Sequence, residues 1–368
     1  MISKKFTLLY LMATILLFAY CNQTPINNSD HIVDYSEELK CDFDSLLESV
    51  QYVPLELTEE SSFMQVTQLL LDDDYIYIFD SFSNSLKVFS WSGKFVKSLG
   101  RMGHGPGEYD RISSVCMDKN YLYMNDLENK ILEFSKKTLS FSREYPNSYG
   151  YSFFKMDDNW IFMDYYGDYL VKVYNSNFEE IYQAIPNLVK TGYLEWPVYR
   201  FYESSGYNYV YPPHYNQIYC INEDSCFLIR EIKYGNLLPI PNEMYLEKAK
   251  TNNMNDIRND DVHVQYCKHI DGKDFFITSF RVGNKYYLGI NQKSDNKTFF
   301  CASDALNYSD CHFIFVPEGS WNDKFLSICN LKNLQKLPFC YKNKSFISLS
   351  DTISPESDIL VLWKLKQK

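Results

Sequence analysis

The sequence predicts an all-β fold, a β-propeller, on three observations. From about residue 50 onward, short apolar runs of strand period alternate with turn residues. A strand-turn-strand unit recurs with a period of roughly 40 to 50 residues, which marks propeller blades that bury their faces against one another. Apolar residues make up 45% of the chain and aromatics 17%, enough for a large core and contrary to disorder.

The clearest unit opens at Asp72-Asp73-Asp74 and continues through Tyr75-Ile76-Tyr77-Ile78-Phe79-Asp80. It turns at residues 81–84 and runs on as Leu86-Lys87-Val88-Phe89. A second turn, Trp91-Ser92-Gly93, leads into residues 94–99, so three strands are linked by hairpins. Residues 121–126 repeat residues 75–80 at an offset of 46, and Leu132-Glu133-Phe134 keeps that offset against Leu86-Lys87-Val88. Further copies are read at 157–164 with 169–174, 207–211 with 217–221, 274–280 with 285–290, and 312–316 with 325–329. Residues 241–258 interrupt the pattern. Pro241-Asn242-Glu243 opens a stretch through Met244, Leu246, Lys248 and Lys250 without β-branched residues, which predicts a short helix on a rim between two blades. Residues 50–57 and 359–365 read as strands from the two ends of the chain. Their pairing in one blade would close the ring and remove its sheet edges.

At the N-terminus, Lys4 and Lys5 precede an apolar run of 14 residues, 6–19, interrupted only by Thr7, Tyr10 and Thr14. This has the charged start and apolar middle of a signal peptide, and it falls short of the roughly 20 residues that a membrane-spanning helix needs. Cys21 follows directly and resembles the lipidated cysteine of the bacterial lipoprotein lipobox, although Phe18 and Tyr20 depart from the residues usual there. A plain secretory signal with an incidental Cys21 is the competing reading. The expected layout is a signal peptide over 1–20, an N-terminal tether over 21–45 and a single propeller domain over 46–368. Loss of Lys4 and Lys5 takes the formal charge from −11 to −13. Such an acidic surface repels nucleic acid and anionic lipid, so membrane contact is expected through a lipid on Cys21 alone. The ten cysteines include no C-x-x-C, the usual mark of zinc-ribbon and thioredoxin-like sites. Cys220 with Cys226, Cys301 with Cys311, and Cys329 with Cys340 are spaced to meet across hairpins, with buried free thiols as the alternative.

The stretch Leu99-Gly100-Arg101-Met102-Gly103-His104-Gly105-Pro106-Gly107-Glu108-Tyr109 resembles the six-bladed β-propeller lipoproteins common in Bacteroidetes, relatives of NHL-repeat and TolB-like propellers. Val53-Pro54-Leu55-Glu56, Asp73-Asp74-Tyr75-Ile76-Tyr77, Gly93-Lys94-Phe95, Asn216-Gln217-Ile218-Tyr219 and the strand at 360–366 match as well, in the expected order. The resemblance implies six blades and a cell-envelope location on the outer membrane. It implies no established reaction and no cofactor.

Several groups are candidate sites. The loop Gly100, Gly103, Gly105, Pro106, Gly107, Glu108, Tyr109 could cradle an anion on its backbone N–H groups, but no crossover helix follows it, so an inter-blade connection with Glu108 bonded to neighbouring backbone is expected. The acidic pairs and triplet at Asp72-Asp73-Asp74, Asp157-Asp158 and Asp260-Asp261 lack calcium-loop spacing and read as turns, so no metal site is expected. His263 and His269 are the only close histidine pair, and neither H-E-x-x-H nor G-x-S-x-G occurs. Half of the 32 tyrosines lie between Tyr145 and Tyr219. Within that window Tyr165, Tyr166, Tyr199, Tyr202, Tyr207, Tyr211 and Tyr215 are the candidate ligand face, because amphipathic rings on loops suit sugars and peptides. The function expected is binding or scaffolding of a glycan, peptide or envelope protein. The alternative is a polysaccharide lyase or glycosidase with its site in the central channel.

Overall fold

A blade inside a ring is covered on both faces by its neighbours, so its central strands need no polar face. Tyr75–Asp80 and Tyr121–Asp126 show this directly, being buried at every position but the first. The outermost strands border solvent: Ser140–Pro146 is mostly exposed, and Phe95–Leu99 is buried only at Leu99. The computed structural model describes residues 32–36, 43–127, 130–146, 150, 152–188, 201–204, 206–212, 216–251, 262–283, 285–303, 317–335 and 344–367.

These residues form six antiparallel blades. Blade 1 is Gln68–Leu71, Tyr75–Asp80, Ser85–Ser90 and Phe95–Leu99, and blade 2 is Ile112–Met117, Tyr121–Asp126, Lys130–Ser135 and Ser140–Pro146. Blade 3 comprises Ser152–Met156, Asn159–Met163, Tyr169–Tyr174 and Glu180–Pro186; blade 4 comprises Phe201–Ser204, Tyr207–Val210, Gln217–Ile221 and Cys226–Lys233. Blade 5 holds the longer strands His263–Asp271, Phe275–Val282, Lys285–Gln292 and Lys297–Ser303. Blade 6 takes Gly319–Trp321, Lys324–Asn330 and Asp358–Leu365 from the C-terminal end and Leu47–Pro54 from the N-terminal end. The first strand of each blade lies innermost: Gln68–Leu71 neighbours both Ile112–Met117 and Gly319–Trp321, which brings the ring round on itself. Because the strands alternate in direction, the first-to-second and third-to-fourth turns share one face, here the lower. The second-to-third turns and the blade-to-blade connections share the upper face.

Closure follows the expected pairing of chain ends, in the register Val53↔Leu360, Tyr52↔Val361, Val50↔Trp363. Trp363 is fully buried at this seam and its indole N–H donates to Ser327 Oγ at 3.0 Å. Polar side chains fasten blade to blade near the axis. The Gln68 amide bonds both backbone groups of Val115, at 2.8 and 3.0 Å, and Asn125 Nδ2 donates to Gly150 O at 2.8 Å. Farther out, Lys136 of blade 2 lies 3.3 Å from Asp72 of blade 1.

Two elements differ from the sequence expectation, and a third follows it. Part of the segment read as a tether is structured: Ile32–Asp34 pairs in parallel with Glu231, Ile232 and Lys233 as a fifth strand on blade 4. Tyr35 is buried behind it, bonded to Thr278 Oγ1 at 3.0 Å, and a Cβ at Gly289 would meet its ring at 2.6 Å. Segment 312–316 lies outside the described residues, and Lys324–Asn330 is the second strand of blade 6. The third strand comes only after an upper-face insertion with the short helices Leu331–Leu334 and Lys344–Ser350, which the lack of a helical period over so few residues hides. The helix expected at 241–258 forms over Asn242–Thr251 in the connection between blades 4 and 5; residues 252–258 lie outside the described residues.

Two outcomes are expected. Trp363→Ala should lower the unfolding free energy by about 3–5 kcal/mol in urea titrations, since it leaves a cavity at the ring seam. Burial pushes the Asp358 carboxyl up to about 6. An acid raised in the folded state opposes folding when ionised, so the penalty is full above pH 6 and fades as pH falls toward 4. Asp358→Asn should therefore stabilise the chain at pH 7.5, by up to about 2 kcal/mol, with a gain that shrinks at pH 4.5.

Candidate functional site

The acidic turns are architecture. Asp72 Oδ1 accepts the backbone N–H groups of Asp74 and Tyr75 at 2.9 and 2.7 Å, and its Oδ2 accepts the Tyr77 hydroxyl at 2.8 Å. Forty-six residues on, Asp118 does the same with Asn120, Tyr121 and Tyr123, at 2.7, 2.7 and 2.6 Å. Burial, helped by the neighbouring carboxylates, raises both tyrosine hydroxyls well above their ordinary value, so these phenols stay protonated donors. On the upper face, Asp80 holds the backbone of Met64 and Phe82, at 2.7 and 2.9 Å, and Asp126 holds that of Asp110 and Arg111. Asp164 accepts from Tyr166 and Gly167 and pairs with Lys172 at 2.8 Å, which together keep its carboxyl below the usual range despite burial. Asp157 sits at φ 48° in a turn, and Asp260 and Asp261 lie outside the described residues. Among the described residues, no group of three or more His, Cys, Asp or Glu side chains could hold a metal ion.

The glycine loop joins blade 1 to blade 2 on the upper face, and its cradle is already filled by its own acid. Glu108 Oε2 accepts from Gly105 N at 2.8 Å, while Oε1 meets Arg101 at 2.5 Å. The Gly105 hydrogen bond, then Arg101, holds the Glu108 carboxyl below the usual range. Gly103 has φ 151°, and a Cβ there would sit 2.2 Å from Glu108 Oε2. Gly100 and Gly107 also have positive φ, and a Cβ on Gly107 would run into Phe141 at 2.8 Å. Tyr109 is buried and donates to Asn84 O at 3.0 Å, tying the loop to the second-to-third turn of blade 1. A phosphate would have to displace an internal carboxylate, so the loop serves geometry. Two of the motifs that carry the family resemblance also meet: Gly93, at φ 81°, leaves room for Pro54 O, and Glu56 N donates to Gly93 O at 2.8 Å.

The tyrosines do not form one face. Tyr166 is exposed on the upper face in the second-to-third turn of blade 3, beside half-buried Tyr165. Tyr207 is exposed toward the lower face, as the first residue of the second strand of blade 4. Tyr202 stacks near Tyr209 and Tyr211, with ring centroids 5.0 and 6.1 Å away, between blades 4 and 5. Tyr211 is buried and meets the His269 ring edge-on at 5.1 Å, which removes it from any surface. His269 itself is buried in the same contact, with Nδ1 3.0 Å from Thr278 Oγ1. Tyr199, Tyr215 and Cys21 lie outside the described residues. Residues 207, 209 and 211 share one strand face, so exposure there follows height and not alternation: Tyr207 stands at the lower end, and Tyr211 is covered by blade 5. Cys220 and Cys226 remain thiols: Cys220 donates to Asn222 Oδ1 at 3.7 Å, and burial pushes the Cys226 thiol up to about 12.

Among its exposed residues the upper face also presents large apolar side chains. Met64, Phe82, Met102, Tyr166 and Leu188 are 55 to 77% exposed, and all five lie in second-to-third turns or blade-to-blade connections between blade 6 and blade 4. Single exposed apolar residues are ordinary, and five of this size in the turns and connections of one face mark a candidate contact surface. Sequence periodicity misses them because they fall outside the strands of the blades. The signal was an apolar residue set inside a turn, as in Ser81-Phe82-Ser83 and Arg101-Met102-Gly103.

Residues 22–326 match the model of the DUF5128 family, described as a 6-bladed beta-propeller. No curated protein sequence matches the chain. Among solved structures, the chain is similar to a Bacteroides fragilis protein provisionally named as exported, at 20% identity and a TM-score of 0.80, covering 91% of this chain and 100% of that one. It is also similar to a member of the DUF4221 family from Bacteroides vulgatus, at 11% identity and a TM-score of 0.55, covering 88% and 98%. At these identities the likeness establishes the fold.

If Glu108 locks the loop, Gly103→Ala should eject it, and trypsin should then cleave after Arg101 several-fold faster than in the parent chain under native conditions.

Proposed function

Because this chain belongs to the DUF5128 family of six-bladed β-propellers, we propose that it works as an exported, lipid-anchored binding propeller that takes a peptide or partner protein on its upper face. The observation that carries this reading is the set Met64, Phe82, Met102, Tyr166 and Leu188 on that one face. Methionine, phenylalanine and leucine offer area and no polar atoms that pair with hydroxyls, which suits a protein segment better than a glycan. Helices Asn242–Thr251 and Lys344–Ser350 rise from the same face, where loops on a rigid scaffold are free to vary. Export and anchoring are supported by Lys4, Lys5, the apolar run that follows and the position of Cys21.

The polysaccharide lyase or glycosidase alternative would need two carboxylates roughly 5 to 10 Å apart facing a sugar. Four of the upper-face acids, Asp80, Glu108, Asp126 and Asp164, each hold backbone N–H groups of their own turns and connections, which supports binding over turnover at those positions.

The test is a panel of envelope peptides and glycans presented to the chain beginning after Cys21, with binding and turnover followed together. Phe82→Ser combined with Met102→Ser should weaken any bound ligand at least tenfold while leaving the urea midpoint unchanged. Glycan cleavage at a rate insensitive to that double change would overturn the reading.

A further inference from the structure

Between blades 4 and 5, toward the lower face, stands a polar cluster that packing alone does not explain. Tyr207, Tyr209 and Tyr202 form a ladder leading inward from the lower end of blade 4, with successive ring centroids 6.4 and 5.0 Å apart. Tyr207 is exposed, and Tyr209 and Tyr202 are half-buried. On the same side of blade 4, Arg230 lays its guanidinium over the Phe276 ring of blade 5, 4.2 Å from the centroid. Asp271, which ends the first strand of blade 5, lies 3.7 Å from Arg230 Nη1 and 2.7 Å from Lys293 Nζ. Burial first, then the Asp271 carboxylate, pushes the Tyr209 hydroxyl up to about 12 and the Tyr202 hydroxyl well above its ordinary value, against the pull of Arg230. Both phenols are thus protonated donors within electrostatic reach of the ion pair.

Arg230 is the member that needs a reason. Ile218, its register partner, and Ile232, two places on, are fully buried on the same side of the sheet, so the position suits an apolar side chain. A cation four-fifths buried there costs free energy unless it is well bonded. Lys293 already neutralises Asp271, which leaves Arg230 with a long ion pair, one aromatic face and no hydrogen bond among the described residues. The Tyr202 and Tyr209 hydroxyls also lack a hydrogen-bond partner among the described residues, and neither they nor the Arg230 nitrogens are sealed from solvent.

We propose that this cleft is a second binding site, for a saccharide that carries a carboxylate, such as a hexuronate unit of a glycan. Arg230 offers the planar fork that matches a carboxylate, Tyr202 and Tyr209 donate to its oxygens, and the exposed Tyr207 ring stacks on the sugar. Arg230 and Lys293 outnumber Asp271 by one charge, so an acidic ligand completes the cluster where a neutral one leaves the guanidinium uncompensated. The site uses other residues than the upper-face set and needs no lipid anchor, so it stands or falls apart from that reading.

The full chain, solubilised in a neutral detergent, is titrated by calorimetry with oligogalacturonate, oligoglucuronate and oligomannuronate, each beside its methyl ester. At least one acid form should bind, and its ester about tenfold more weakly, because esterification removes the charge and keeps the sugar. Arg230→Met should weaken that acid form about tenfold and bring acid and ester to similar affinity. Tyr209→Phe removes one hydroxyl and keeps the ring, so it should cost about threefold in affinity at an unchanged urea midpoint, and it decides the question where Arg230→Met does not fold. Equal affinity for acid and ester in the parent chain, binding of none of the oligomers, or full affinity in either folded variant overturns the proposal.

Discussion

Everything in this molecule depends on one sheet, in which Leu47–Pro54 and Asp358–Leu365 hydrogen-bond across the whole length of the chain. A blade buries both faces only when it has a neighbour on each side, so five blades in an open arc would leave two apolar faces bare. The seam between the chain ends supplies the last contact. Its entropic cost is moderate, because closing a loop grows only with the logarithm of its length. The gain is that the inner strands complete a ring, which the buried Phe325, Ile359, Val361 and Trp363 cluster then fills on the side facing blade 5.

Once the ring is closed, several polar residues near the axis and in the turns have structural partners before any ligand arrives. Gln68 and Asn125 bond the backbone of the next blade, and Asp72 and Asp118 shape identical turns one repeat apart. Even the glycine-rich connection is internally neutralised by Glu108 and Arg101. Function is thus left to side chains that the ring does not use. On the upper face these include Met64, Phe82, Met102, Tyr166 and Leu188.

The strands of blades 1 and 2 were legible in the sequence because tyrosine-rich runs and aspartate turns repeat at 46 residues, and each aspartate has a local job that fixes its spacing. Ring closure was legible from two apolar runs at the ends. Less was visible where contacts are distant: Ile32–Asp34 is three residues long, and its stability comes from Tyr35 wedged against Gly289, some 250 positions away. Tyrosine density pointed to blades 3 and 4 but could not separate Tyr166, which faces solvent, from Tyr211, which faces His269. Composition records how many rings are present, while exposure depends on which blade covers them. The exposed Met64 and Leu188 carried no periodic signal, since connections between blades have none.

The central claim is that the upper face is where this propeller meets its partner. Site-specific photo-crosslinking in the intact envelope tests it most directly, with p-benzoylphenylalanine placed in turn at Phe82, Met102 and Leu188 on the upper face and at Lys137 and Thr138 in a lower-face turn. The account predicts discrete crosslinked products from the first three positions and none from the last two. Products confined to the lower-face positions, or equal at both faces, would contradict it.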